Sequence, residues 1–119
     1  MEGIEDKILL YKVRVNRDPD AYGLLYDKYV ASIYRYVFFK LSHKEEAEDV
    51  TSEIFLKAWR HIIDATGESE IINFRTFIYR VARNSIVDVY RERVKKKNYK
   101  RNTRQYYFYG LWKNYHSVK

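Results

Sequence analysis

Glycine and proline are scarce along this chain, so the backbone has few places where it is expected to turn. The 119 residues include one proline, Pro19, and four glycines. Sandwiches and barrels need frequent turns, whereas long stretches without these residues favour helices. A chain of this length, 46% hydrophobic, can bury one modest core but not two ordinary domains. The sequence therefore predicts an all-α fold, a compact bundle of three to four helices.

Two helices are predicted in the first third of the chain. The first covers about residues 4–16, with Ile8, Leu9 and Val13 on one helical stripe. The second covers about residues 19–40, where apolar and tyrosine side chains recur at three- and four-residue steps typical of a packed face. That face comprises Tyr22, Leu25, Tyr26, Tyr29, Ile33, Tyr36 and Val37. Asp18 fits the N-cap of the second helix because its side chain can accept from free amides, and Pro19 fits the first helical position.

A third helix is predicted over about residues 43–62. Ser42 and Glu45 have the three-residue spacing of a capping box, which predicts Ser42 as the N-cap of this helix. The buried stripe of this helix is expected to contain Ala47, Val50, Ile54 and Ala58. Its first half is acidic and its second half is basic.

The last long helix is predicted over about residues 74–97, after an acidic loop at residues 64–70, and Asn73 is its expected cap. The side chains expected to pack inward are Phe74, Phe77, Ile78, Val81, Ala82 and Val89. The arginines expected on other faces are Arg75, Arg80, Arg83, Arg91 and Arg93.

The expected organisation is a helical domain over residues 1–97 followed by a basic, aromatic tail over residues 98–119, flexible or partly helical. The tail has no Asp or Glu but contains an aromatic cluster around Tyr106–Trp112. Such a tail can stack on single-stranded bases, fold back on the domain or associate with another chain. The sequence leaves these three alternatives open.

Charge and motif content favour a binding protein over an enzyme. The net charge is +7, which favours a polyanionic partner. Three dispersed histidines have no metal-ligand spacing, and no phosphate-binding loop or nucleophile elbow occurs. We therefore predict no enzymatic activity, no metal and no cofactor. Zero cysteine and a charged amino-terminal segment without an apolar core predict a cytoplasmic protein without a membrane anchor.

Three segments occur in a specific order and spacing: DPDAYGLLYDKYVASIYRY at residues 18–36, EEAEDVTSEIFLKAW at residues 45–59 and NFRTFIYRVARNSIVDVYRER at residues 73–93. Together they resemble the region 2 domain of extracytoplasmic-function (ECF) sigma factors, a group of the bacterial sigma-70 family. The resemblance covers about residues 9–97. It implies a sigma factor domain that binds core RNA polymerase and recognises and melts the minus-ten promoter element during transcription initiation.

The resemblance assigns core polymerase binding to Asp49, Ser52 and Glu53, with a coiled coil of the beta-prime subunit as the partner. Asp49 and Glu53 are four residues apart, so both lie on one helix face and can meet a basic partner. A pair between Glu53 and Lys57 within the helix is the alternative. Glutamine is common in the family where this chain has Ser52.

The resemblance assigns promoter contact, especially with the non-template strand, to the last helix and to the loop at residues 64–72, which captures a flipped base. The candidate DNA-binding residues are Arg75, Arg80, Arg83, Asn84 and Arg91. Guanidinium groups hold phosphates, and an asparagine can read a base edge. The alternatives are a solvated basic face for the arginines and a helix-bracing role for Asn84 with Asp88.

Family members usually continue into a helix-turn-helix domain that reads the minus-thirty-five element, and we do not expect the sequence after Lys97 to form one. Two other functions stay open. The first alternative is a polymerase- or anti-sigma-binding regulatory module without promoter melting. The second is a single-stranded nucleic-acid binder. An anti-sigma protein is a further partner that the sequence does not settle.

Overall fold

Four helices make up the part of the chain described by the computed structural model, which covers residues 3–64, 71 and 73–115, with side chains described up to Lys97. They are α1 (Ile4–Asn16), α2 (Pro19–Leu41), α3 (Lys44–Asp64) and α4 (Phe74–Tyr115). No strand occurs in these described ranges. The predicted all-α fold is confirmed.

The chain divides into two compact units, Met1–Ile86 and Val87–Lys119. The first unit contains α1, α2, α3 and the first residues of α4, and the helix pairs α1–α2, α2–α3 and α1–α3 are in contact within it. The second unit contains the rest of α4. The predicted domain boundary after residue 97 stays a prediction.

The connection between α1 and α2 is built as the sequence predicted. Arg17 adopts a left-handed conformation (φ 52°) and closes α1 by donating its backbone N–H to Val13 O over 3.0 Å. Asp18 then accepts from the backbone N–H groups of Asp20 and Ala21 at 2.9 and 3.2 Å, with Pro19 as the first helical residue. Asp18 is therefore the N-cap of α2, as predicted.

The connection between α2 and α3 differs from the predicted capping box. Ser42 has a left-handed backbone (φ 67°) and donates its N–H to Phe38 O at 2.7 Å, which closes α2. An N-cap that bonds to the next turn needs an extended backbone, so Ser42 cannot also open α3. Helix α3 begins one residue after His43, whose carbonyl accepts the first bond from the Ala47 N–H at 2.9 Å. The predicted N-cap at Ser42 is wrong, although the helix begins within one residue of the predicted bound.

The core lies where the apolar stripes of α1, α2, α3 and the start of α4 meet. Leu25, Ile33, Ile54, Ala58 and Ile78 are each fully buried. The buried stripe of α3 is the one predicted, and the α2 tyrosines pack as expected: the rings of Tyr22 and Trp59 are 5.2 Å apart, and those of Tyr29 and Phe74 are 5.5 Å apart. In α1 the prediction for Ile8 is wrong, since its side chain is 49% exposed while Leu10 is buried.

A buried carboxylate ties α1 to α2. Asp6 is 2% exposed, and its side chain accepts from Lys28 Nζ at 2.6 Å and from the Tyr29 hydroxyl at 2.5 Å. A carboxylate can accept several hydrogen bonds, so these two donors offset much of the cost of removing it from water. Asp6 was not among the residues selected from the sequence, because an acidic residue near a helix start is usually solvated.

Tyr22 joins α2 to α3 by a polar contact as well as by packing. Its hydroxyl donates to the Phe55 carbonyl at 2.6 Å. Burial raises the pKa of this phenol, because the phenolate would lose its hydration. Tyr22 is therefore a neutral donor at physiological pH.

Helix α4 begins as predicted and ends later. The side chain of Asn73 accepts from the Thr76 N–H at 2.8 Å, which confirms the cap. Phe74, Phe77, Ile78 and Ala82 are buried as predicted, whereas Val81 and Val89 are half-buried. The helix continues to Tyr115 although its apolar period stops near residue 97. The tail side chains and residues 65–70 and 72 of the predicted base-capturing loop lie outside the described residues.

Candidate functional site

Helix α3 presents an acidic face, defined here as Glu45, Asp49, Ser52 and Glu53. All four residues are exposed, while Val50 and Ile54, on the opposite side, are buried. The alternation arises because side chains three and four positions apart lie on the same side of a helix. The segment from Glu45 to Glu53 contains five Asp or Glu residues and no Lys or Arg. The structure thus brings the three predicted polymerase-binding residues onto one exposed, negatively charged surface.

Lys57 borders the acidic face and contacts two helices. Its ammonium lies 3.5 Å from a carboxylate oxygen of Glu53 and donates to the hydroxyl of Ser85 on α4 at 3.2 Å. The alternative pairing of Glu53 with Lys57 is therefore present. An exposed pair at this spacing contributes only about 0.3–0.5 kcal/mol. The Glu53 side chain remains 56% exposed, so it is still accessible to a partner.

An apolar residue also lies on this side of α3. Leu56 is 48% exposed and follows Ser52 by four residues, which continues the acidic face by one helical turn. Leu56 was not selected from the sequence, since a leucine in an amphipathic helix is normally assigned to the core. The spacing of four residues from Ser52 could have placed Leu56 on this exposed side of α3.

The first turns of α4 form a cavity of about 470 Å³ that we call the arginine pocket. It is lined by Arg75, Thr76, Tyr79, Arg80 and Arg83. Three of the five predicted DNA-binding residues therefore lie together, and all three are exposed. The segment from Ile71 to Val87 contains no Asp or Glu. Guanidinium groups concentrated in one concave surface are suited to holding phosphates.

The local sequence explains why the arginines face outward. Phe74, Phe77, Ile78 and Ala82 occupy the buried side of α4, and they follow one another at the spacing of a helical stripe. Phe74 packs edge-on against Tyr22 of α2, with ring centroids 6.1 Å apart. This packing fixes the rotation of α4 and leaves its arginines on the solvent side.

Tyr79 lines the arginine pocket but was not selected from the sequence. The guanidinium of Arg75 lies 5.3 Å from the centre of the Tyr79 ring, within cation–π range. The other side of the contact is Tyr36 of α2, whose ring centre is 5.5 Å from that of Tyr79 at 71°. Tyr79 therefore positions Arg75 and offers a partly exposed ring to the pocket. Its position directly before Arg80 in the sequence could have identified it as a pocket residue.

The remaining two DNA-binding candidates are placed differently. Asn84 is exposed, but among the described residues it does not line the arginine pocket. Arg91 belongs to the second unit, where one of its guanidinium nitrogens lies 3.6 Å from Asp88. Asp88, the partner of Asn84 in the alternative bracing role, thus contacts Arg91 three residues along the same helix.

Comparison with known proteins adds the family to this geometry. The sigma-70 region 2 family matches residues 25–96, more than half of the chain. The chain belongs to this family. The match begins within α2 and includes the acidic face, the arginine pocket and Arg91. It confirms the resemblance drawn from the three sequence segments.

Curated relatives of this sigma-70 region 2 chain include several ECF sigma factors. It is 39% identical over 71 residues to the ECF RNA polymerase sigma factor BldN of Streptomyces coelicolor, which covers 60% of this chain and 26% of BldN. It is 37% identical over 84 residues to the ECF RNA polymerase sigma factor SigW of Bacillus subtilis, covering 69% of this chain and 41% of SigW. The chain thus spans about a quarter to two fifths of the length of these relatives. No solved structure matches it significantly.

Membership in the sigma-70 region 2 family agrees with the prediction that this chain is not an enzyme, since sigma factors are transcription initiation factors. Within the described residues, no group of three His, Asp or Glu side chains is placed to hold a metal ion. None of the helices, over the portion described, has an apolar stretch long enough to cross a bilayer.

Proposed function

We propose that this chain is the domain of a sigma factor that binds core RNA polymerase and opens the minus-ten promoter element. The acidic face of α3 binds the coiled coil of the beta-prime subunit through Asp49, Ser52 and Glu53. The arginine pocket of α4 holds the backbone of the non-template strand. This function acts through recognition and strand separation in the cytoplasm, where polymerase and promoter DNA are found.

The separation of opposite charges onto two helices carries the proposal. The segment from Glu45 to Glu53 contains five carboxylates and no Lys or Arg, whereas the segment from Ile71 to Val87, which contains the three arginines of the pocket, has no Asp or Glu. A single surface of mixed charge would bind neither a basic coiled coil nor a polyanion well. Two surfaces of opposite sign can bind both at the same time.

Base opening needs more than phosphate contacts. Unstacking a base costs a few kcal/mol, which the protein must offset with contacts to the released strand. Arg80 and Arg83 are the proposed phosphate contacts because both line the pocket and are exposed. Asn84 follows Arg83 directly and is the proposed base-edge contact. Arg91, in the second unit, is a further proposed phosphate contact.

Polymerase binding is tested by affinity measurement with purified core enzyme. We expect Asp49→Ala combined with Glu53→Lys to weaken binding at least about tenfold, since close charge pairs at interfaces couple by more than roughly 1.4 kcal/mol. The control is Asp27→Ala combined with Glu5→Lys, which makes the same charge change at exposed positions on α2 and α1. Equal affinity of the two variants would contradict the proposed role of the acidic face.

Promoter opening is tested in the complex with core polymerase, by the reactivity of unpaired thymines in the minus-ten element. We expect Arg80→Ala with Arg83→Ala to abolish opening while polymerase binding is retained. The control replaces exposed Lys12 and Arg14 of α1 with Ala. If the parent chain binds polymerase but leaves the promoter closed, the chain is instead a regulatory module without melting activity. An anti-sigma partner stays a prediction.

A further inference from the structure

An uninterrupted series of aromatic and cationic side chains leads from the arginine pocket to the end of α2. We call it the aromatic ridge, defined by Arg75, Tyr79, Tyr36, Lys40 and Phe39. Arg75 lies over Tyr79 at 5.3 Å, and Tyr79 contacts Tyr36 at 5.5 Å. Lys40 Nζ is 5.9 Å from the Tyr36 ring centre and 5.8 Å from that of Phe39. Each member therefore contacts the next, and the contact between Tyr79 and Tyr36 joins α4 to α2.

Phe39 has an exposure that core packing does not explain. Its side chain is 78% exposed, the largest exposed fraction among the large hydrophobic residues of the described chain. Its neighbour Phe38 is 41% exposed and stacks on Tyr34 with ring centroids 6.0 Å apart. Phe38 thus has an aromatic partner within its own helix, whereas the described contact of the Phe39 ring is a cation.

The charge around the aromatic ridge favours a polyanion. The segment of α2 and its connection from Lys28 to Lys44 contains four Lys or Arg residues and no Asp or Glu. The α4 segment on the other side, from Ile71 to Val87, contains three arginines and no acidic residue. Alternating aromatic rings and cations on a positively charged surface are the usual basis of single-strand binding, where bases stack and the backbone is neutralised.

We propose that the aromatic ridge is a second contact for single-stranded nucleic acid, in which a base stacks on Phe39 and Lys40 contacts the adjoining phosphate. The released strand passes from the arginine pocket across Tyr79 and Tyr36 to the end of α2. The inference deepens the proposed function, because it extends the path of the same strand onto a helix that had no assigned role in DNA binding. It assigns no reaction, only binding.

The test is the affinity of the full chain for a fluorescently labelled oligothymidylate, measured by anisotropy at fixed salt. We expect Phe39→Ala to weaken binding roughly fivefold or more, because stacking of one base on an aromatic ring contributes at least about that factor. We expect Phe38→Ala, the matched control at the adjacent position, to leave binding within about twofold. Circular dichroism of both variants checks that the helices are retained.

A second readout separates stacking from charge. An oligothymidylate carrying one 2-aminopurine should lose fluorescence on binding to the parent chain, and Phe39→Ala should remove this quenching. Phe39→Trp should keep it, since an indole ring also stacks. Unchanged affinity and quenching in Phe39→Ala would overturn the inference, as would failure of the parent chain to bind the oligonucleotide. The polymerase and promoter experiments decide the proposed function independently of this probe.

Discussion

At the scale of single residues, Asp6 shows how a buried charge can be part of a small helical domain. Its carboxylate is held by Lys28 and by the Tyr29 hydroxyl, and it is nearly inaccessible to solvent. Removing the carboxylate of such a cluster takes away the hydrogen bond that each of the two donors makes to it, and a lost bond at a buried site is costly. This loss destabilises the contact between α1 and α2, because Asp6 lies on α1 and both donors lie on α2.

We expect Asp6→Ala to lower the free energy of unfolding by about 2–4 kcal/mol, measured by urea denaturation. The loss should be below the full value for a buried pair, because the Lys28 side chain is 35% exposed and can regain water. Glu5→Ala is the control, since its side chain is exposed and its change should stay within about 0.5 kcal/mol. Similar values for the two variants would show that the Asp6 cluster does not stabilise the fold.

Tyr22 makes the free energy of unfolding of the domain depend on pH in the alkaline range. Burial raises the pKa of its phenol above the ordinary value of 10.0. The unfolded phenol ionises as the pH rises through 10.0, whereas the folded one stays neutral, so this contribution is complete below pH 10.0 and declines above it. We expect Tyr22→Phe to lose less stability than the parent chain between neutral pH and about pH 11.

The measurement for Tyr22 is a pair of denaturant titrations at the two pH values. At neutral pH, Tyr22→Phe should be less stable by about 1 kcal/mol, because the bond to the Phe55 carbonyl is lost while the ring contacts remain. Tyr11→Phe, at a 60% exposed position, controls for the other tyrosines. An identical pH dependence of Tyr22→Phe and the parent would contradict the assignment.

At the scale of helices, the caps decide where each one begins, and they were predicted with mixed success. Asp18 and Asn73 were identified because their side chains directly precede a periodic apolar run. Ser42 has the same sequence signal, yet its backbone is left-handed and it closes α2. Sequence spacing alone does not distinguish an extended from a left-handed backbone at such a position.

We expect Asn73→Ala to destabilise the fold by about 1 kcal/mol, the usual cost of losing a helix N-cap. Asn73→Asp should retain the stability, because a carboxylate also accepts from the Thr76 N–H and is favoured at the positive helix end. Thermal unfolding of both variants provides the measurement. Equal loss in Asn73→Asp and Asn73→Ala would show that the Asn73 amide, rather than the cap, is required.

At the scale of the whole molecule, apolar periodicity was sufficient for the four helices and most of the core, since the same stripes that repeat in sequence pack together in space. It failed for Ile8, which is exposed, and for the end of α4. The arginine pocket was less accessible to prediction. Arg75, Arg80 and Arg83 could be chosen as basic residues on one helix, but Tyr79 and the contribution of Tyr36 depend on how α2 packs against α4. That packing is a long-range property which no local pattern contains.

The separation of charge predicts a salt-dependent affinity for nucleic acid. We expect the logarithm of the binding constant for an oligothymidylate to fall linearly with the logarithm of the salt concentration. Arg80→Ala with Arg83→Ala should reduce the slope by roughly 1.4, because each phosphate contact on a single strand releases about 0.7 counterions. Anisotropy titrations at four salt concentrations measure this slope. The Lys12→Ala and Arg14→Ala control should keep the slope of the parent.

The lengths of the connections between helices predict the order in which the helices fold. Only Arg17 and Asp18 separate α1 from α2, and only Ser42 and His43 separate α2 from α3, whereas nine residues precede α4. Closing a longer connection costs more chain entropy, and contacts between sequence neighbours form faster. Pulse-labelled hydrogen exchange should therefore show protection in α1 to α3 before α4. A nascent chain would then present its acidic face before its arginine pocket is complete, so a protein partner can be engaged before nucleic acid can be held.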